Sequence, residues 1–76
     1  MSIDIYLLKD IARLSGLSIH TVKYYLKLKL IKEVGRSPET NFRYFDDSTV
    51  EALNKIRALR KKGISLSKIK VLLKSE

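Results

Sequence analysis

Hydrophobic positions recur along this chain in four helical stripes, each bounded by turn or capping residues. Leu8, Ile11 and Ala12, continued by Leu14 or Ser15, share one face of a first helix that Gly16 ends as a left-handed cap. Ser18 then has the position of an N-cap for a second helix running to about Leu28. Leu17 before that cap and Val22 five residues on have the spacing of a hydrophobic staple. Phe45-Asp46 with Val50 repeats the arrangement, and Ile64-Ser65 with Ile69 repeats it again. A third helix therefore spans roughly Asp47 to Lys62, with Val50, Leu53, Ile56 and Leu59 as its stripe, and stops at Gly63. The fourth covers about 66–75 and is expected to bury Ile69, Leu72 and Leu73.

The stretch from Ile31 to Phe45 breaks the helical period. Ile31 and Val34 start a short extended run, residues 35–41 carry turn chemistry, and Phe42 to Phe45 is an aromatic strand signal. The economical reading is a small β-hairpin in which Asn41 takes positive φ. The predicted fold is mainly α: a single winged helix-turn-helix domain over residues 1–76, with four helices and a two-stranded hairpin. The helix-turn-helix covers about 8–28 and the wing about 31–45.

Charge adds a direction. The 76 residues hold 16 Lys and Arg against 8 Asp and Glu, a formal net charge of +8, which favours polyanionic partners: DNA, RNA or an anionic membrane face. Lys55, Arg57, Arg60, Lys61 and Lys62 follow one another with no acid between them. The chain has no cysteine and a single histidine, which removes disulfides, zinc fingers, iron–sulfur clusters and thiol chemistry, and His20 alone is no metal site. No cofactor is implied. Paired carboxylates, a nucleophile–base pair and a phosphate-cradling glycine loop are all missing, so an enzyme is not expected. No apolar run approaches the ~18 residues of a membrane span, and the N-terminus lacks a signal-peptide pattern. A cytoplasmic protein without a membrane partner is expected.

Placement of the charge points to DNA. Helix, tight glycine turn, N-cap and helix from Asp10 to Leu28 form a helix-turn-helix pattern, whose second helix enters the major groove. At 100° per residue, Ile19, Val22, Tyr25 and Leu26 fall on one side of that helix, and His20, Lys23, Tyr24 and Lys27 on the other. Such an outward face suits phosphates and base edges. Arg36 and Arg43 sit on the two arms of the hairpin, near enough to act together, and arginine's planar fork suits phosphate. Phe42 and Phe45 are read as packing residues, and Tyr44 is open between the two faces of the hairpin.

Four segments carry a family resemblance: YLLKDIARLSGLS (6–18), TVKYY (21–25), FRYF (42–45) and ALRKKGISLSKIKVLL (58–73). In order and spacing they resemble the DNA-binding domain of MerR-type bacterial transcription regulators. The resemblance implies a hairpin wing, a second wing made by the third and fourth helices, and DNA contacts from Lys23 and Tyr24, with Tyr25 packing. It also implies wing contacts from Arg36 and Arg43, and a basic cluster of Arg57, Arg60 and Lys61. Together with the outward face of the second helix, the candidate DNA-contacting set is Ser18, His20, Thr21, Lys23, Tyr24, Lys27, Arg36, Arg43, Tyr44, Arg57, Arg60 and Lys61.

The chain departs from the family pattern at several positions. Leu7 stands where a capping Thr is usual and forgoes ~1 kcal/mol. Leu26 replaces an acid, Lys29 and Asn41 replace glycines, and His20 replaces a frequent arginine. Full regulators of this type continue into a dimerisation helix and a sensor domain. The chain ends at Glu76, where that helix would begin, so a domain without sensor or coiled-coil seam is expected, excised or natural. The expected function is sequence-specific binding of double-stranded DNA in transcription regulation, nucleoid-associated. Further copies of itself on DNA (dimer or head-to-tail) and RNA polymerase at a promoter are partners the resemblance allows. Leu7, Leu26 and the Leu72–Leu73 edge are candidate contacts between copies, with plain core the simpler reading. The alternative is an excisionase-like or architectural factor that bends DNA and binds side by side on repeats. A protein-interaction module would show acidic replacements on the helix face or wings, and there are none.

Overall fold

The computed structural model describes residues 5–74. Four helices, α1 (Leu8–Ser15), α2 (Ile19–Lys27), α3 (Asp47–Lys61) and α4 (Leu66–Lys74), are joined by a hairpin of β1 (Gly35–Arg36) and β2 (Arg43–Tyr44) between α2 and α3. The α3 helix ends one residue before the expected limit. The starts of α2, α3 and α4 are closed as their sequences require. Ser18 Oγ accepts from the Thr21 N–H at 3.1 Å, Asp46 Oδ1 from the Ser48 N–H at 3.0 Å, and Ser65 Oγ from the Lys68 N–H at 3.3 Å. At α1, Leu7 offers no acceptor, but Asp10 reaches back and its Oδ2 accepts from the Leu7 N–H at 2.9 Å. Half of a capping box thus remains where the full one is missing.

Helix ends follow one pattern three times. After α1, the Leu17 N–H donates to the Ala12 carbonyl and the Gly16 N–H to the Arg13 carbonyl, with Gly16 at φ 74°. After α3, Ile64 and Gly63 make the same pair of bonds to Leu59 and Arg60, with Gly63 at φ 83°. After α2 the bonds run from Leu30 to Tyr25 and from Lys29 to Leu26, but the left-handed residue is Lys29 at φ 62°. In each case the next residue (Leu17, Ile64 or Leu30) turns back onto the core, the apolar contact that accompanies such caps. Leu17 and Ile64 also precede the caps of α2 and α4, so one side chain closes a helix and staples its successor.

The core gathers Ile11 and Ala12 of α1, Val22 and Tyr25 of α2, Leu30, Ile31, Phe45, Leu53 and Ile56 of α3, and Ile69 of α4. Fully burying one such side chain is worth about 1.5–3 kcal/mol, against ~1 kcal/mol for a cap. Caps therefore define where helices begin, while packing decides how they lie. On α1 the fourth stripe position is Ser15, buried with its hydroxyl donating to the Ala12 carbonyl, and Leu14 faces out. Expectations fail at three apolar positions. Ile19 is 42% exposed on the first turn of α2, and Leu72 is 36% exposed on α4, where Ile69 is buried and Leu66 and Leu73 pack partly against the core. Phe42, expected to pack, is 61% exposed on the wing beside Leu7 and Leu8.

The hairpin is shorter than the extended run beginning at Ile31 suggests. Its antiparallel register pairs Gly35 with Tyr44 and Arg36 with Arg43. Ile31 instead enters the core after the α2 corner, so only the Val34 N–H, donating to the Tyr44 carbonyl at 2.9 Å, extends the ladder inward. Asn41 has φ 61° at the tip, as its side chain permits. Tyr44 lies across Gly35: a Cβ at residue 35 would stand 2.3 Å from the tyrosine hydroxyl. The glycine is therefore the space its cross-strand partner fills. The N-terminal segment adds a third rung that sequence reading does not provide. Tyr6 and Phe45 exchange both backbone hydrogen bonds, at 2.8 and 2.7 Å, and the Tyr6 hydroxyl donates to Asp47 Oδ1 at 2.8 Å.

Candidate nucleic-acid interface

The α2 helix buries Val22 and Tyr25 and turns His20, Lys23, Tyr24 and Lys27 outward, as the projection requires. Tyr24 is half exposed, and its ring leans on Tyr25 with centroids 6.3 Å apart at 42°. The buried ring thus limits where the exposed one can point. Ser18 and Thr21 close the start of the helix, their hydroxyls 2.9 Å apart.

Between α2 and the wing lies a groove of about 500 Å³, lined by Lys23, Leu26, Lys27, Lys29, Ile31, Lys32, Glu33 and Arg43. Lys23 and Lys27 from the helix and Arg43 from the wing thus face one depression. Lys29 and Lys32 join them and were missed in the sequence reading. Their signal was available, since they flank the buried Leu30–Ile31 pair and must point away from it. Glu33 was missed as well. Its carboxylate accepts from Arg36 Nε and Nη2 and bonds Arg43 Nε at 3.1 Å, so one acid joins the two wing arginines. The Arg36 hydrogen bond is the main cause that holds the Glu33 carboxyl below its ordinary 4.5, partly opposed by desolvation.

In the second basic region two of the three expected cations also brace helix corners. Arg57 crosses from α3 to the first helix corner, where Nη1 donates to the Ser15 carbonyl at 3.0 Å. Its guanidinium covers Gly16, lying 2.7 Å from where a Cβ would be. Arg60 donates to the Ile64 carbonyl at 3.2 Å and closes the second corner. Lys61 is exposed at the last turn of α3. Both arginines thus hold turns, each with guanidinium donors left over.

A capped helix with a cationic outer face, set beside a basic hairpin, defines a winged helix-turn-helix protein. Residues 6–76 match the MerR HTH family of regulatory proteins, and the chain belongs to that family. It is 32% identical over 65 residues to the multidrug-efflux transporter 1 regulator of Bacillus subtilis (strain 168), covering 86% of this chain and 23% of that protein. Among solved structures it is similar to HiNmlR, a MerR family regulator lacking the sensor domain, bound to promoter DNA. That match has 29% identity and a TM-score of 0.84, over 95% of this chain and 54% of that one. It is also similar to MtaN, the N-terminus of the Bacillus subtilis multidrug transporter activator, with 29% identity and a TM-score of 0.82, over 90% and 63% of the two chains. A MerR-family regulator from Bacillus cereus, 20% identical with a TM-score of 0.85, shares the fold over 92% of this chain and 52% of that one. The chain thus spans less than a quarter of its curated relative and about half to two-thirds of these structures.

Proposed function

We propose that this domain binds double-stranded DNA in transcription regulation, with α2 in the major groove and the wings on the flanking phosphates. The observation that carries this reading is the groove in which Lys23 and Lys27 of α2 meet Arg43 of the wing. One cationic depression between a helix and a hairpin suits a phosphate strand at the groove edge. The family relation supports it, since HiNmlR is a relative described on promoter DNA.

In this reading Lys23, Tyr24 and His20 meet base edges or the nearest phosphates, while Lys27, Lys29, Lys32 and Arg43 line the phosphate path. Ser18 and Thr21 present the start of α2 to the backbone, Arg36 and Tyr44 extend the contact along the wing, and Lys61 with the spare donors of Arg57 and Arg60 serves the far side. Copies on repeated half-sites and RNA polymerase at a promoter are the partners this reading adds, in a cytoplasmic, nucleoid-associated setting.

The test is selection of bound sites from a random duplex pool, followed by affinity of variants on the winning sequence. Lys23→Ala is expected to weaken binding about tenfold, and Tyr24→Phe less, both with unchanged thermal midpoints. Arg43→Ala should make the log–log salt slope shallower by about 0.9 with sequence preference kept. Unchanged affinity in both α2 variants would overturn the placement of that helix.

A further inference from the structure

The wing carries an acid where a purely phosphate-binding surface would carry none. Arg36 and Arg43 are directly opposed across the hairpin, and like charges so placed repel. Glu33 lies between them, and its geometry does more than relieve repulsion. It takes the Nε and Nη2 hydrogens of Arg36 and forms an ion pair with Arg43 Nε at 3.1 Å. Each guanidinium therefore turns its Nε edge to the acid and keeps its terminal fork for another acceptor. The Arg36 bond also holds the carboxyl below its ordinary 4.5.

A carboxylate here subtracts one charge from the surface that meets DNA, lowering attraction to every duplex alike. What it adds is fixed orientation for two long side chains otherwise free to rotate. We propose that Glu33 is a positioning residue that sets Arg36 and Arg43 as a paired clamp with outward forks, favouring the selected site over random duplex at the expense of total affinity. This rests on the DNA-binding reading above.

The experiment compares Glu33→Gln with wild type on the selected duplex and on a scrambled one, over a range of salt. Loss of the acid should raise affinity for scrambled DNA several-fold at low salt, as expected for one added positive charge. The ratio of selected to scrambled affinity should fall roughly fivefold. In an Arg36→Ala/Arg43→Ala background, Glu33→Gln should leave that ratio unchanged, because no clamp remains to be set. A purely structural role would lower the thermal midpoint and both affinities together, with the ratio intact. An unchanged ratio in the single variant, or the same fall with both arginines gone, overturns the role of Glu33. A wild-type protein that binds neither duplex overturns the DNA-binding reading itself.

Discussion

The two helix corners of this domain share a local sequence and differ in their surroundings. Gly16-Leu17-Ser18 joins α1 to α2, and Gly63-Ile64-Ser65 joins α3 to α4. Both close the preceding helix with the same two backbone bonds, both use a left-handed glycine, and both start the next helix on a serine cap. Yet the Arg57 guanidinium covers Gly16, while nothing lies within 4 Å of a Cβ at Gly63. A three-residue code is enough to make the turn. The arginine at the second corner is local, Arg60 on the Ile64 carbonyl; only the first corner is tied by a residue distant in sequence, and that corner aims the cationic helix.

The largest test of this difference is alanine at the two glycines. Left-handed backbone costs an alanine about 1 kcal/mol at either position. At Gly16 the arginine must also swing aside, and its bond to the Ser15 carbonyl adds about another 1 kcal/mol. Urea unfolding should therefore show Gly16→Ala losing about twice what Gly63→Ala loses. With Arg57→Ala in place, the two glycine substitutions should become equal. If they are already equal in the wild-type background, the tie contributes nothing.

The third corner gives a smaller effect of opposite sign. Lys29 occupies the left-handed position that glycine fills in the other two, so Lys29→Gly should stabilise by about 0.5–1 kcal/mol. That corresponds to a few degrees in thermal midpoint for a domain of this size. The same change removes one groove lysine, so affinity for DNA should weaken slightly while stability rises. A fall in the midpoint would mean that the Lys29 side chain supports the turn.

The smallest effect separates the caps. Serine caps on α2 and α4 have no proton to gain, but Asp46 caps α3 as a carboxylate. Its carboxyl is held below its ordinary 3.8, first by the Ser48 hydroxyl and then by backbone N–H groups, against some desolvation. A depressed folded-state value means its contribution is complete above about 3.8 and fades as pH falls through the lower folded value. Asp46→Asn, an equal cap at neutral pH, should leave stability at pH 7 nearly unchanged and flatten the acid limb below pH 3.8. An acid limb identical in the two proteins would assign it to other carboxylates, Glu33 foremost.

Much of the site was legible because helix faces obey a simple period. The outward set on α2 follows from the buried Val22 and Tyr25, and the pairing of Arg36 with Arg43 follows from a hairpin with its turn between them. The rest lacked a local signal. Phe42 is expected to pack as aromatic residues usually do, but it lies just outside β2 and stays exposed on the wing beside Leu7 and Leu8. The bracing role of Arg57 has no local signal either, because its partner, the Ser15 carbonyl, lies 42 residues away in sequence. The Tyr6–Phe45 pairing escaped notice for the same reason.

What this chain's sequence determined by itself is everything decided within about five residues: helix starts, helix stops, the left-handed turns and the direction of each apolar stripe. Backbone bonds and caps act at that range, so their signals are local. Tertiary structure alone decided that Arg57 braces a corner, that the N-terminal segment pairs with the end of the wing, and that lysines of α2 face Arg43 across one groove. Those outcomes depend on how buried side chains from distant segments stack in a common core, and no window of sequence contains that packing.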